Sequence, residues 1–407
     1  MSIQQASTSS AKAAILQKND NDVVIVCAVR SAITKGRKGG FKDTKPELIL
    51  SHVLRAAYSK ISLDPKLIED IAVGNVLPPG GGASAARMAA LHAGIPVETS
   101  INTVNRQCSS GLRHQPDREP DSRRADRYWY WSRRRINDTR LRLRAAPKYR
   151  RSLSNQDAED CLLPMGITSE NVAADYHIPR STQDAFSAKS FQKAAAANKA
   201  GKFKSEIVPI LAKWIDPKTE EVKEVLVNED DGIREGVTAE SLRRLNLLLR
   251  KMAALMLATH PKSQTAAAAI ILARRSVATR LGLPILGKFV NASTIGVPPR
   301  IMGVGPAYAI PRVLKLTGLS LDDVDFFEIN EAFASQALFS IDTLKIAHEK
   351  VNLNGGAIAL GHPLGCTGAR QVATGLNIAK QTGGRVFVTS MCIGSGMGMA
   401  AVFVSEQ

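Results

Sequence analysis

Three short clusters of this chain combine reactive side chains with small residues. In the first, residues 105–111, Cys108 is followed by two serines and a glycine. Small residues after a cysteine suit a tight turn into a helix, and the N-terminus of a helix stabilises a thiolate and lowers the thiol pKa. The first cluster therefore predicts a nucleophilic Cys108.

The other two clusters lie near the end of the chain. Residues 354–365 surround His362 with glycines, which let the backbone approach a ligand closely and hold the imidazole on a constrained turn. Residues 391–398 place Cys392 before a Gly-rich turn, whose backbone N–H groups can hold an oxyanion. Both clusters thus carry groups that suit catalysis.

Each cluster alone is also compatible with packing, because a lone cysteine is more often a small buried hydrophobe than a nucleophile. The other cysteines are interpreted as structural: Cys27, Cys161 and Cys366. The other histidines are assigned no role: His52, His92, His114, His177, His260 and His348. Paired ligands at short spacing do not occur, so no metal site is expected.

Strand and helix patterns alternate along the chain and would position these clusters. Residues 23–29 form an apolar run typical of a strand buried on both faces, and a helix is predicted from Pro46. Residues 385–390 and 400–404 predict strands on either side of the third cluster. The alternation indicates an α/β fold.

Three further features predict the organisation between the clusters. Residues 1–21 are polar and rich in small residues, which predicts a loose tail. Ser181 with Asp184 predicts a capping box that opens a helix ending at Gly201. Residues 202–240 are charged, and an irregular surface excursion is expected there.

The composition excludes several classes of protein. The chain has 407 residues, of which 44% are hydrophobic, so wholesale disorder is excluded. It has no apolar run long enough to span a bilayer, and five cysteines do not make a disulfide framework. The net charge is +17, which at face value suggests a nucleic-acid partner.

Two short segments carry most of this charge. Residues 113–151 hold 14 basic and 5 acidic residues, a net charge of +9, and residues 246–266 add +3. The first segment also contains the alternating aromatic residues 128–131, a pattern that binds single-stranded nucleic acid. Alternatively, the segment is a solvated charged loop, or it is translated in a shifted reading frame.

Taken together, the clusters resemble the thiolase family, most closely the 3-ketoacyl-CoA thiolases of peroxisomal type. The resemblance runs from about residue 22 to 404, except for the two charged segments. It is carried by NRQCSSGL around Cys108, NEAFA after Ile329, NGGAIALGHPLGCTGAR around His362 and CIGSGMGMA from Cys392. LPMGITSENVA, which contains Met165, resembles the start of the family's loop region.

The resemblance implies a layered αβαβα fold of two similar halves, which associates as a dimer and in many members of the family as a tetramer. Residues 1–21 would be a flexible tail, and residues 22–284 the first half. A loop domain of about residues 152–245 would be inserted in the first half. Residues 285–407 would form the second half.

The resemblance also implies roles for the residues of the clusters. Cys108 would attack a 3-ketoacyl-CoA after His362 takes its proton, and Cys392 would transfer the second proton. The backbone N–H groups of Cys108 and Gly394 would hold the acyl oxyanion, while His362 and a water on Asn330 would hold the enolate oxygen.

Met165 would contact the substrate, and Pro164 before it leans towards the degradative 3-ketoacyl type. CoA and acyl-CoA would be substrates, no metal or other cofactor is expected, and neither nucleic acid nor membrane would be a partner.

The genetic code supports the shifted-frame interpretation of residues 113–151. Read one nucleotide later, synonymous codons for residues 114–121 give INQIANQI, and residues 125–131 give QIDIGIG. Residues 135–138 give ESMT in the same frame, a string that thiolases carry at this place. The shifted strings are helix-like and then strand-like, unlike the Arg-rich sequence.

Residues 251–265 restore a thiolase string when they are read one nucleotide earlier, as DGSTNAGNASQVSD. We therefore hypothesise two compensated frame shifts, one in each segment. The chain as it stands would place about 14 cations where a core should form, at a cost of several kcal/mol for each unpaired buried charge. It is expected to be insoluble or inactive, whereas a chain with both frames restored, called the restored chain below, would be active.

Other functions remain open. An acetyl-CoA C-acetyltransferase would use the same residues, and an inactive thiolase-like protein or a basic nucleic-acid-binding protein are further alternatives. Residues 405–407 are not a peroxisomal tripeptide, and the first 30 residues lack the Arg-Leu and His-Leu ends of a type-two signal. The peroxisome is therefore expected from the resemblance alone, with the cytoplasm or the mitochondrion as alternatives.

Overall fold

The computed structural model describes residues 10–112, 155–249 and 264–407. The strands in these ranges are β1 (Val23–Ser31), β2 (Thr34–Lys35), β3 (Asp70–Gly74), β4 (Ser100–Val104), β5 (Ile207–Val208), β6 (Ile210–Ile215), β7 (Val222–Val227), β8 (Gln264–Thr265), β9 (Ala268–Arg274), β10 (Gly287–Gly296), β11 (Phe326–Ile329), β12 (Val386–Ile393) and β13 (Met397–Ser405). The helices are α1 (residues 10–16), α2 (Pro46–Lys60), α3 (Ala83–His92), α4 (Gln156–Asp160), α5 (Met165–Asp175), α6 (Arg180–Lys199), α7 (Ala239–Leu249), α8 (Arg275–Arg280), α9 (Gly305–Thr317), α10 (Ala334–Leu344), α11 (Ala357–Leu360) and α12 (Thr367–Thr382). None of the described helices is long and apolar enough to cross a membrane.

The main sheet joins strands from both ends of the chain. β1 pairs antiparallel with β9 over most of its length, with β10 at its start, and parallel with β5 at its end. From β10 the sheet continues through β13 and β12 to β11. Because β1 is buried along almost its whole length, its apolar residues pack on both faces, as the sequence predicts.

The two ends of the chain repeat one pattern of strands. β1 pairs antiparallel with β9 as β10 pairs antiparallel with β13. β3 runs parallel to β4, and β11 likewise has a parallel bridge from Phe327 to Val351. Helix α2 lies between β1 and β3 in one half, and helix α9 lies between β10 and β11 in the other.

Helix α12 lies in the interior of the molecule. Twelve of its sixteen residues are buried, and it contacts β1 and β9 as well as β12 and β13. It ends at Gly383, whose φ of +75° is the left-handed conformation that glycine adopts without strain. Helix α12 is therefore held between strands of the two repeated halves.

The capping box predicted at Ser181 is wrong, although the predicted helix exists. Helix α6 begins at Arg180, with Pro179 as N-cap and no side-chain cap. Ser181 is therefore already inside the first turn, and Asp184 accepts a hydrogen bond from Arg180 Nε at 3.0 Å instead. The predicted end is confirmed, because Gly201 follows the helix with a φ of +67°.

The irregular excursion predicted for residues 202–240 is also wrong, because β6 and β7 form an antiparallel hairpin there. Two carboxylates of this region are buried against Arg30, whose side chain is fully buried in β1. Arg30 Nε donates to Glu206 at 2.6 Å, and its terminal nitrogens donate to both oxygens of Asp230 at 2.7 and 2.8 Å. A buried cation needs such partners, so these charges are structural rather than solvated.

The remaining predictions fall partly or wholly outside the described residues. Residues 10–16 are helical and pack Ala11, Ile15 and Leu16 against the second half, while residues 1–9 are not described. One hypothesised frame shift concerns residues 113–151, which lie outside the described ranges. The other concerns residues 246–266, and of these, residues 250–263 lie outside the described ranges. The frame-shift hypothesis and the domain boundaries stay predictions.

Candidate active site

Cys108 lies in a tight 3-10 turn, Gln107–Leu112, directly after β4. Gln107 has a φ of +48°, and its N–H donates to Asn105 Oδ1 at 2.9 Å. Ser110 Oγ accepts from the N–H of Arg106 at 2.9 Å and donates to the carbonyl of Gln107 at 2.6 Å. These bonds fix the turn, and Cys108 is buried within it, with 9% of the residue exposed.

The turn packs backbone against backbone on the start of α12. A Cβ at Gly111 would overlap the carbonyl oxygen of Gly365, and a Cβ at Gly368 would overlap the N–H of Leu112. Glycine is therefore required on both sides of the contact. This contact brings the turn of Cys108 beside the segment that carries His362.

The hydrogen bonds of His362 define its tautomer. Its Nδ1 lies 2.7 Å from Thr367 Oγ1, and that hydroxyl is 3.2 Å from the carbonyl of Pro363. Since the hydroxyl proton goes to Pro363, the oxygen accepts from Nδ1–H. Nε2 is then the unprotonated nitrogen, and it lies 3.4 Å from Asn330 Nδ2. The basic atom of the imidazole thus faces Asn330.

Asn330 is fully buried just after β11. Its N–H donates to the carbonyl of Ser390 at 2.8 Å, and its carbonyl accepts from Gln336 Nε2 at 3.2 Å. The side-chain Oδ1 is buried and has no hydrogen-bond partner among the described residues. An unpaired buried oxygen is costly in a structural role, so its position suits a hydrogen bond from a ligand or a water.

Cys392 is completely buried near the end of β12. Burial raises the pKa of its thiol well above the usual value, and the nearby Cys108 adds to the shift. The thiol is therefore protonated at neutral pH and can donate a proton. Cys392 packs with Met165 and with Phe333 of the NEAFA segment.

Gly394 lies between Gln107 and Met165. A Cβ at Gly394 would overlap Gln107 Oε1 and would stand 3.6 Å from Met165 Sδ. The next residue, Ser395, has a φ of +59° and accepts a hydrogen bond from Gln107 Nε2 at 2.9 Å. The turn after Cys392 is thus tied directly to the turn of Cys108.

The structure brings together all six residues that the sequence analysis selected, although their roles stay predictions: Cys108, Met165, Asn330, His362, Cys392 and Gly394. Sequence reasoning missed Thr367, Gln107 and Gln336, which orient them. Thr367 lies five residues after His362 in the same motif, which is a signal that could have found it. The partners of Gln107 and Gln336 are visible only in three dimensions.

The other cysteines differ in exposure. Cys27 and Cys366 are buried, and burial raises the pKa of each thiol to about 12. Cys161 is exposed, and its Sγ lies 3.3 Å from the carbonyl of Asp157. Within the part of the chain that the structure describes, no three His, Cys, Asp or Glu residues are grouped so that they could hold a metal ion.

Comparisons with known proteins agree with the geometry. The family model "Thiolase, N-terminal domain" matches residues 23–116 and 132–276, and "Thiolase, C-terminal domain" matches residues 283–405. The peroxisomal 3-ketoacyl-CoA thiolase of Yarrowia lipolytica is 51% identical over 97% of this chain and 95% of its own.

Two solved structures from Saccharomyces cerevisiae are also similar. The dimeric peroxisomal thiolase has a TM-score of 0.86 at 44% identity, over 97% of this chain and all of its own. The other, a peroxisomal 3-ketoacyl-CoA thiolase with five layers built from two core domains of identical topology, has a TM-score of 0.76 at 42% identity, over 96% of this chain and all of its own. The predicted layered fold of two similar halves is thereby confirmed.

Proposed function

Because this chain belongs to the thiolase family, we propose that it cleaves 3-ketoacyl-CoA with CoA into acetyl-CoA and a shortened acyl-CoA, a step of fatty-acid β-oxidation. One observation carries the proposal. Two free thiols, Cys108 and Cys392, lie close enough to interact electrostatically, and the second is fully buried with a raised pKa. Thiolysis needs one nucleophilic thiol and one protonated thiol that acts as the proton donor, and the burial of Cys392 favours its protonated state.

The first half-reaction breaks a carbon–carbon bond. His362 Nε2 takes the proton of Cys108, and the thiolate attacks the 3-keto carbonyl. The acyl group stays on Cys108, while the leaving two-carbon unit, an enolate of acetyl-CoA, takes a proton from Cys392. The Nδ1 hydrogen bond to Thr367 keeps Nε2 free to accept that proton.

The second half-reaction releases the acyl group. Cys392 now takes the proton of the incoming CoA thiol, and the CoA thiolate attacks the acyl-Cys108 thioester. The shortened acyl-CoA leaves, and His362 returns its proton to the Cys108 thiolate. Neither half-reaction calls for a metal or a redox group, since thiolate attack and proton transfer account for every bond that changes.

Backbone donors stabilise the charge that develops. The N–H groups of Cys108 and Gly394 would hold the tetrahedral oxyanion, and the hydrogen bond from Gln107 to Ser395 keeps the two turns together. The enolate oxygen would be held by His362 and by a water on Asn330, whose Oδ1 is buried without a described partner. Met165 packs against Cys392 and would contact the acyl chain.

The alternative acetyl-CoA C-acetyltransferase reaction would use the same residues with a four-carbon substrate. The Yarrowia lipolytica relative, at 51% identity, is a peroxisomal 3-ketoacyl-CoA thiolase, which supports the degradative reaction. For the same reason we propose that the protein acts in the peroxisome. We also propose that it forms a dimer like its dimeric Saccharomyces cerevisiae relative, and that nucleic acid is not a partner.

The proposed activity is tested by cleavage of 3-ketoacyl-CoA substrates with 4, 8 and 16 carbons in the presence of CoA. The full chain and the restored chain are assayed side by side, and acetyl-CoA is measured directly. Cleavage of the C8 and C16 substrates supports the proposal. Activity confined to the C4 substrate would favour the acetyltransferase, and a folded dimer with no activity on any substrate would refute both.

A further inference from the structure

A buried carboxylate adjoins the proposed active site although no step of the proposed reaction uses it. Glu331 directly follows Asn330 in the NEAFA segment, and only 2% of the residue is exposed. A buried carboxylate is costly unless hydrogen-bond donors replace the water that it has lost. The donors that surround Glu331 therefore show which parts of the chain it holds.

Three donors hold the carboxylate of Glu331. Its Oε2 accepts from Ser190 Oγ at 2.6 Å and from the N–H of Ile358 at 3.1 Å. Its Oε1 accepts from Asn352 Nδ2 at 2.8 Å. The Ser190 hydroxyl in turn accepts from the N–H of Gly356 at 3.1 Å. Only an ionised carboxylate accepts at both oxygens without needing an acceptor of its own, so these contacts fit the charged form.

Helix α6 supplies a cation to the same region. The Nζ of Lys193 donates to the carbonyl of Val351 at 2.7 Å and to that of His348 at 3.3 Å. Burial raises the pKa of Glu331, whereas its hydrogen bonds and the positive charge of Lys193 lower it. The hydroxyl of Ser190 and the ammonium of Lys193 therefore fix α6, the carboxylate and the segment after residue 348 against one another.

Asn352 fixes one end of the segment that leads to His362. It has a φ of +48°, a left-handed conformation that is uncommon for a residue other than glycine. Its Oδ1 accepts from the N–H of Ile329 at 2.9 Å, and its Nδ2 donates to the carbonyl of Ile329 at 2.8 Å. The side chain thus pairs with the end of β11, and the same Nδ2 also donates to Glu331. These bonds hold the strained backbone in place.

Glu331 joins the two stretches of chain that carry Asn330 and His362. Asn330 is its neighbour in the sequence, and Ile358 lies in α11, which ends two residues before His362. A Cβ at Gly356 would overlap the carboxyl of Glu331, so the start of α11 lies directly against it. A helix of four residues is only about 6 Å long, so a shift at its first turn is carried to His362.

We propose that Glu331 is a positioning residue, which sets the distance between His362 Nε2 and the side chain of Asn330 during thiolysis. That distance is 3.4 Å in the structure. The inference rests on the proposed function and extends it from the groups that react to the group that spaces them. Glu331 acts through α11 and does not contact the substrate in this role.

Glu331→Gln tests this role, because the amide keeps the shape of the carboxyl but cannot accept from all three donors. Its nitrogen must face either Asn352 or the two donors at Oε2. We expect kcat for a C8 3-ketoacyl-CoA to fall by about 10- to 100-fold with KM within about threefold of the parent, since a displacement of about 1 Å at reacting groups costs on the order of a hundredfold.

Glu328→Gln is the matched control. Glu328 is an equally buried carboxyl of β11, but it is bonded to Arg370 rather than to the segment before His362. Its loss leaves the spacing of the reacting groups in place, so its kcat should stay within about threefold of the parent. Full kcat in Glu331→Gln, or an equal loss in both variants, would overturn the proposal.

A second measurement does not depend on turnover. The variants are made in the full chain and in the restored chain, and the alkylation of each cysteine by iodoacetamide at pH 7 is followed by mass spectrometry. In Glu331→Gln the alkylation of Cys108 should slow by about fivefold or more relative to the exposed Cys161, because a displaced imidazole no longer takes the proton of the thiol. The buried Cys27 and Cys366 should stay as unreactive as in the parent.

The pattern of alkylation separates positioning from stability. Faster alkylation of the buried Cys27 and Cys366, with Cys108 unchanged relative to Cys161, would show that Glu331 only stabilises the fold and would overturn the proposal. A parent that cleaves no substrate would refute the proposed function, whereas slower alkylation of Cys108 in its Glu331→Gln variant would still support the positioning role.

Discussion

Thr367→Val in the restored chain tests whether the hydrogen bond at Nδ1 controls the base. The substitution keeps the shape of the side chain and removes the oxygen that accepts from His362 at 2.7 Å. Thr367 is completely buried, so water does not easily replace the lost partner. The donor left without a partner costs about 1–3 kcal/mol.

If this hydrogen bond holds the reactive tautomer of His362, its loss raises the activation free energy of the reaction by that amount. Since 1.4 kcal/mol corresponds to a factor of ten, we expect kcat/KM to fall by about 5- to 150-fold. Without the acceptor, the proton can move to Nε2, and Nε2 can then no longer take the proton of the proposed nucleophile. The loss should therefore appear mainly in kcat, because binding of the acyl-CoA does not need the tautomer.

Thr367→Ser is the matched control, because it keeps the hydroxyl and removes only the methyl group. Steady-state cleavage of a C8 3-ketoacyl-CoA is measured for both variants from pH 6 to 9, together with the midpoint of thermal unfolding. The serine variant should stay within about threefold of the parent. A valine variant that keeps full kcat, or a serine variant that loses as much as valine, would refute the assigned tautomer.

The remaining predictions concern the nucleophile, a glycine contact, a buried carboxyl and the reading frames. Cys108→Ala should abolish the acyl-enzyme seen by mass spectrometry of the restored chain after addition of substrate, and an acyl group retained at the site would exclude Cys108 as the nucleophile. Gly111→Ala should lower the midpoint of thermal unfolding and the activity, because its Cβ would overlap the carbonyl oxygen of Gly365 just before α12; Gly296→Ala, with nothing within 4 Å, is the control that should change neither. Burial raises the pKa of Glu328 to about 7 despite its bond to Arg370, so the stability that this carboxyl contributes is present below about pH 4.5 and is lost as the pH rises through 7. The thermal midpoint of the parent should therefore fall relative to that of Glu328→Gln between pH 5 and 8, by the equivalent of up to about 3 kcal/mol, and a constant difference would contradict the shift. The restored chain should give more soluble dimer and more thiolysis than the chain as it stands, and a coding transcript without insertions or deletions across residues 113–151 would argue against the frame-shift hypothesis.

The choice of reactive residues could be predicted from the sequence because thiolysis demands particular atoms. Only a thiol, an imidazole and closely approaching backbone donors suit the proposed steps, and they occur as short strings around Cys108, His362 and Cys392. The strand at residues 23–29 and the helix from Pro46 were also predictable, because an apolar run and a proline at N1 act through neighbouring residues. Local patterns failed at Ser181. The capping box required the carboxylate of Asp184, but this carboxylate accepts a hydrogen bond from Arg180, four residues before it.

What only the tertiary structure decided is how these residues are held. The bond from Gln107 to Ser395 joins residues 288 positions apart, and the bond from Ser190 to Glu331 joins residues 141 apart. Neither Gln107 nor Ser190 lies in a local pattern that points to its partner. Each of the two contacts exists only after the two halves have packed together around α12. The bond from Lys193 to the carbonyl of Val351 arises in the same way, because the two residues are 158 positions apart. The sequence by itself determined which chemical groups this protein has, and the packing of the two halves decided which of those groups are buried, oriented and able to react.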